Sequence, residues 1–113
     1  MEEVYRVREE GKVVVIDLLS ELDRFSVLAI KNEIRALLKK GRNRIVVNFK
    51  NLERINSTIV GALVTMQHLA KERGGDLRLC CLNERIKRTF DLIGASKLLK
   101  IYDEEGEAIA SYG

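Results

Sequence analysis

The chain contains no proline and no tryptophan, a single histidine, two cysteines and 5% aromatic residues. Each shortage removes a class of reading. Without proline there is no Pro-rich spacer or polyproline recognition segment. With so few aromatics there are few platforms on which the bases of single-stranded nucleic acid could stack, and no nucleic-acid partner is expected. The lone histidine, His68, is too isolated to be a metal ligand, and no Cys/His spacing surrounds it. No Ser/His/Asp set, Walker loop or paired-carboxylate arrangement supports an enzyme. Cys80 and Cys81 are adjacent; in a strand their side chains would point to opposite faces and could not easily bridge. Both are therefore read as free thiols of a reducing compartment. No apolar run approaches the roughly 20 residues of a membrane span, and the start Met1-Glu2-Glu3 is acidic. A cytoplasmic location without membrane insertion is the expectation.

What is present suffices for one domain. With 113 residues, 46% of them hydrophobic, the chain can bury a single core without staples, and one domain over residues 1–113 is expected. Charged residues make up 33% with a net charge of only +3, and the two signs are interleaved, which describes a solvated surface. No cofactor is implied.

Residues 4–8 and 13–18 read as strands on either side of Glu9-Glu10-Gly11-Lys12, an antiparallel hairpin. Val13-Val14-Val15-Ile16 looks buried on both faces. Asp23 is placed to cap a helix with the inward stripe Val27, Ile30, Ile34, Leu37 and Leu38, ended by Lys39-Lys40-Gly41. There follow a strand over 44–49, a loop over 50–56, a helix over 57–73 stopped by Gly74-Gly75, and a strand over 77–82. A third helix starts near Asn83, buries Ile86, Phe90 and Ile93, and stops at Gly94. Residues 98–102 read as a last strand, and Asp103-Glu104-Glu105-Gly106-Glu107 opens a short acidic helix. The alternation implies an α/β fold: a mixed, mostly parallel sheet of four to five strands beginning with an antiparallel hairpin, packed with about four helices. In such a sheet the strand-to-helix loops emerge at one carboxyl rim, where α/β folds usually bind. The loops 20–23, 50–57 and 82–84 should therefore be neighbours.

Asn56-Ser57-Thr58 stands at the mouth of the second helix. These are the ordinary N-cap residues, and most such triplets only cap. The same mouth offers free backbone N–H groups and the positive end of the helix dipole, so a phosphate on Ser57 would be electrostatically welcome. Val60 and Val64 fall off the inward stripe, with Gly61 beside them keeping the backbone low. That reads either as scattered surface valines or as an apolar contact spot beside a polar mouth, and its adjacency to Ser57 favours contact.

Taken together, Glu21-Leu22-Asp23, Val46-Val47-Asn48-Phe49 followed by Ile55-Asn56-Ser57-Thr58, Gly74-Gly75, and the run from Arg85 through Ile86 and Phe90 to Gly94 resemble the STAS domain, and within it the bacterial anti-sigma factor antagonists. The likeness covers nearly the whole chain. It implies that Ser57 is the phospho-acceptor, with Thr58 as the competing hydroxyl; together with the rim and the apolar spot read above, the residues expected to bind the partner are Glu21, Asp23, Asn56, Ser57, Thr58, Ile59, Val60, Gly61 and Val64. That partner would be an anti-sigma factor that is also a serine kinase. The unphosphorylated form binds it and frees the sigma factor, phosphorylation breaks the complex, and a serine phosphatase acting on phospho-Ser57 resets it. ATP would belong to the kinase. Two positions depart from the family's Asp-Ser-Ser-Gly motif. Asn56 stands in place of Asp, and Ile59 in place of Gly. A β-branched residue does not readily adopt φ > 0, so a loop that used that freedom would have to differ, and Ile59 would add bulk at the contact surface. The alternative is a non-switching STAS scaffold subunit of a signalling assembly or transport system, using the same rim without phosphorylation.

Overall fold

Val13, Val14, Val15 and Ile16 are β-branched, consecutive and almost wholly inaccessible, and the sheet is built outward from them. They belong to β2 (Val13–Leu18), which pairs antiparallel with β1 (Tyr5–Glu10). The computed structural model describes residues 3–113; Met1 and Glu2, part of the acidic start noted above, lie outside them. Because Glu10 faces Val13, the hairpin turn narrows to Gly11-Lys12, and Gly11 takes the left-handed conformation (φ +65°) that such a two-residue turn needs.

From β2 the chain alternates: α1 (Arg24–Lys39), β3 (Arg44–Asn48), α2 (Ser57–Glu72), β4 (Asp76–Cys80), α3 (Glu84–Ile93), a 3-10 turn (Ala95–Lys97), β5 (Ile101–Tyr102) and α4 (Glu105–Ala110). The five strands lie in sequence order, β1 antiparallel and the rest parallel. Every crossover therefore steps the same way, and right-handed connections put α1, α2 and α3 on one face. Ile30, Ile34, Leu63, Met66, Ile86 and Phe90 from those helices join Ile16, Val47 and Leu79 in one large core. A smaller cluster on the other face joins Val13, Val15, Val46 and Cys80 to Ala108 of α4.

That second face is fastened by polar groups. The Tyr112 hydroxyl donates to the carbonyl of Ile45 (2.7 Å) or Asp76 (2.8 Å), and burial pushes its ionisation above the usual range. Asp17, buried on β2, accepts from Arg8 at 2.6 Å and from Arg6 at 3.3 Å, while Arg8 also pairs with Glu105 at the start of α4. The hydrogen bonds from Arg8 outweigh burial and hold the Asp17 carboxyl below its ordinary range.

Three expectations are corrected. β4 ends at Cys80, and Cys81 beyond it has φ +67°, the only left-handed non-glycine residue among those described. This turns Cys81 back against the same cluster that holds Cys80, so the two thiols share a face; both are free. Ile93 is 47% exposed, because α3 stops against no further layer and Gly94 (φ +85°) turns the chain away. The last strand shrinks from residues 98–102 to Ile101–Tyr102, since the 3-10 turn and Leu98 precede it. No helix among the described residues is long and apolar enough to cross a membrane.

Candidate functional site

The three strand-to-helix loops do meet at one rim, and hydrogen bonds hold them there. The Glu21 carboxylate, after β2, accepts from the main-chain N–H of Glu53 at 3.0 Å. From the other side, the Asn83 side chain donates to the carbonyls of Leu52 (3.3 Å) and Glu53 (3.0 Å). Within the loop, the N–H of Lys50 donates to the Asn48 side chain, and Phe49 and Leu52 drop into the core, Phe49 edge-on to Phe90 at 6.2 Å between centroids. The loop after β3 is thus anchored from both flanks and from beneath, and it delivers residues 56–58 to a fixed place.

Each helix that starts at this rim is capped by its own side chain. Asp23 accepts from the N–H of Ser26 at 2.8 Å, while the Ser26 hydroxyl accepts from the N–H of Asp23 at 2.8 Å, a reciprocal cap. Hydrogen bonding from the Ser26 backbone, then its hydroxyl, lowers the Asp23 carboxyl from its usual range. Asn56 accepts from the N–H of Ile59 at 2.9 Å, and Asn83 accepts from the N–H of Ile86 at 2.8 Å. Three helix N-termini, each carrying about half a positive charge, therefore open onto one edge of the molecule. Leu22, Asp23, Arg24 and Val27 face Asn56, Thr58 and Ile59 across a groove of about 270 Å³ between α1 and α2.

Asn56 is the cap and Ser57 the first residue inside α2; Ser57, Thr58 and Gly61 are exposed. Ile59 does not add bulk at the surface. It sits in the first helical turn without a positive φ, 7% exposed, with its side chain in the core. The apolar spot expected at Val60 and Val64 is also not there. Val60 is 1% exposed and belongs to the core, and Val64 is half-buried against it. The reason lies in the layer: α2 is the middle helix of three, so neighbours on both sides widen its buried arc beyond a single stripe.

The exposed apolar groups at this end belong to α1 instead. Phe25 is 69% exposed and Leu28 55%, in the turns just after the Asp23 cap, with the Arg24 guanidinium 5.2 Å from the Phe25 ring centroid. Both lie outside the inward stripe Val27, Ile30, Ile34, Leu37, Leu38. That mismatch, large apolar residues off the stripe and directly after a capped rim loop, was the signal available in the sequence.

Comparison with known proteins agrees with this fold. The model of the family described as STAS domain matches residues 5–108. An anti-sigma F factor antagonist of Paenibacillus polymyxa is 28% identical over 98 residues, 86% of this chain and 84% of that protein. The crystal structure of a candidate anti-sigma factor antagonist of Thermotoga maritima superposes with a TM-score of 0.86 at 26% identity, covering 95% of this chain and 92% of that one. A Bacillus cell fate determinant, solved in its phosphorylated form, has the same fold, with a TM-score of 0.75 at 23% identity over 96% of this chain and 99% of its own.

Proposed function

This chain belongs to the STAS domain family, and on that premise we propose that it is an anti-sigma factor antagonist, a binding module switched by phosphorylation of Ser57. The whole chain, residues 1–113, is read as that one module. Unphosphorylated, it docks its carboxyl rim on an anti-sigma factor that is also a serine kinase, and the sigma factor is released. The kinase transfers phosphate from ATP to the Ser57 hydroxyl, and a serine phosphatase later removes it.

The observation that carries this reading is the placement of Ser57: exposed, at the first position of α2, on a loop fixed from both sides, at an edge where three helix N-termini open. A phosphate adds roughly −1.5 to −2 charges. At a helix mouth that charge is stabilised in the free protein, whereas in a fitted contact it is desolvated and displaces the partner. The two states therefore differ in binding without a change of fold. In this reading the exposed residues Glu21, Asp23, Asn56, Thr58 and Gly61 join Ser57 in the contact, and Phe25 and Leu28 supply the apolar part that Val60, buried, does not.

The test is incubation with the cognate kinase and ATP, mapping of the phosphate by mass spectrometry, and titration of both forms against the kinase. Phosphate on Ser57 with loss of affinity is the expected result. Phosphate on Thr58 would move the switch by one residue. No phosphate, with the rim still binding, would leave a non-switching subunit.

A further inference from the structure

On the flank of the molecule away from α1, the end of α2, α3, the 3-10 turn and β5 enclose an open groove of about 600 Å³. Lys71, Lys87, Lys97 and Lys100 line it, with Asp91 as its one carboxylate and Leu98 as its exposed apolar side chain. Lys87 is occupied, pairing with Asp103 at 2.8 Å and Glu84 at 3.7 Å. Lys71, Lys97 and Lys100 are in no ion pair among the described residues. Leu98 at the groove is 56% exposed, and α3 leaves Leu92 (81%) and Ile93 (47%) exposed outside it. Among the described residues these are three of the five large hydrophobic side chains left exposed, and all three fall within residues 92–98; the other two are the α1 pair at the rim.

We propose that this groove is a second docking surface, for a partner segment that is acidic and carries large apolar side chains. Charge complementarity selects the occupant: three unpaired ammonium groups face the groove and one carboxylate opposes them. The apolar component selects it further, because an anion alone would leave Leu98, which lines the groove and is 56% exposed, in water. A lipid surface fits less well. The site is concave, and Asp91, its one carboxylate, would be pressed against anionic headgroups. Nucleic acid fits less well for the same carboxylate, and because Tyr102 is the only aromatic lining it. The segment need not add a strand to the sheet. β5 is an edge strand of two residues, too short to template much pairing, so side-chain contacts carry the affinity.

This surface does not depend on the reading of Ser57. Ser57 and Lys71 lie at opposite ends of α2, ~21 Å apart at the usual helical rise. A protein held in the groove can therefore stay bound while the rim is occupied or phosphorylated.

The test uses a short fluorescein-labelled peptide of Asp and Glu interrupted by leucines, followed by fluorescence anisotropy on the full chain. Two control peptides replace the leucines with serine or the acids with lysine. Binding of the acidic leucine peptide is expected, weakened by serine in place of leucine and absent with lysine. Lys97→Glu/Lys100→Glu should lower the affinity at least ~10-fold, and Leu98→Ser by several-fold, while Ser57→Asp leaves it unchanged. All three substituted groove residues are exposed, and matching melting curves will show that the fold persists. Equal affinity in the charge-reversed variant, or no binding of the peptide, overturns the proposal. So does sedimentation with phosphatidylglycerol vesicles that the double variant abolishes while the peptide does not bind. A dimer in sedimentation velocity that the double variant dissociates would assign the groove to a second copy and equally overturn it.

Discussion

The side-chain amide of Asn83 is used at both ends: its oxygen accepts from the N–H of Ile86 at 2.8 Å, capping α3, while its nitrogen donates to the carbonyl of Glu53 at 3.0 Å. One residue thus starts a helix and steadies the loop that presents Ser57, because its amide carries an acceptor and a donor on separate atoms. Asn83→Asp keeps the acceptor and loses the donor. It is expected to leave α3 capped, lower stability by about 1–2 kcal/mol, and speed amide exchange across residues 52–57. Asn83→Ala loses both and should cost about 1 kcal/mol more. An exchange profile of Asn83→Asp across residues 52–57 indistinguishable from that of the unsubstituted protein would show that the tie to Glu53 is inert.

Ser57→Asp places a permanent negative charge in the first turn of α2, where the helix dipole favours it by about 0.3–1 kcal/mol. Asn56 remains the cap, so thermal unfolding should be unchanged or shift slightly upward. Affinity for the kinase should fall by ~10-fold or more, since the charge must be desolvated in the contact. A calorimetric titration with the same affinity for both proteins would favour the non-switching subunit.

Phe25→Ser and Leu28→Ser should each leave stability within about 0.5 kcal/mol, because neither side chain is packed. If α1 supplies the apolar contact, each should weaken rim binding by ~10-fold or more. Val60→Ala is the converse case: about 2 kcal/mol of stability lost to a cavity, read in urea unfolding, with little direct effect on affinity. A binding defect in Val60→Ala without one in Phe25→Ser would restore the α2 face as the contact.

Asp17→Asn removes the charge that Arg8 and Arg6 hold against β2. Because its folded pKa lies below the unfolded value of about 3.9, Asp17 contributes stability that is complete above about pH 5 and declines as pH falls through the folded pKa. The substitution should cost about 1.5–3 kcal/mol near neutrality. The gap between variant and wild type should close in acid, which urea unfolding at a series of pH values will show. A gap that does not narrow would mean that the loss is one of packing rather than of charge.

Local physics made much of this protein legible in advance. The caps at Asp23, Asn56 and Asn83 act over three residues, and the Gly94 stop acts within one turn, so both can be read without knowing the fold. The alternation of strands and helices then dictated a parallel sheet and a shared rim, because connection handedness leaves few other arrangements. Tertiary placement decided the rest. Nothing within α2 says that a helix lies on each side of it, and it is that flanking which buries Val60 and leaves the apolar contact at this edge to Phe25 and Leu28 on α1. The packing of Cys81 on the Ala108 cluster and the Arg8–Glu105 pair join residues far apart in sequence, and these contacts form only once α4 closes over the second face of the sheet.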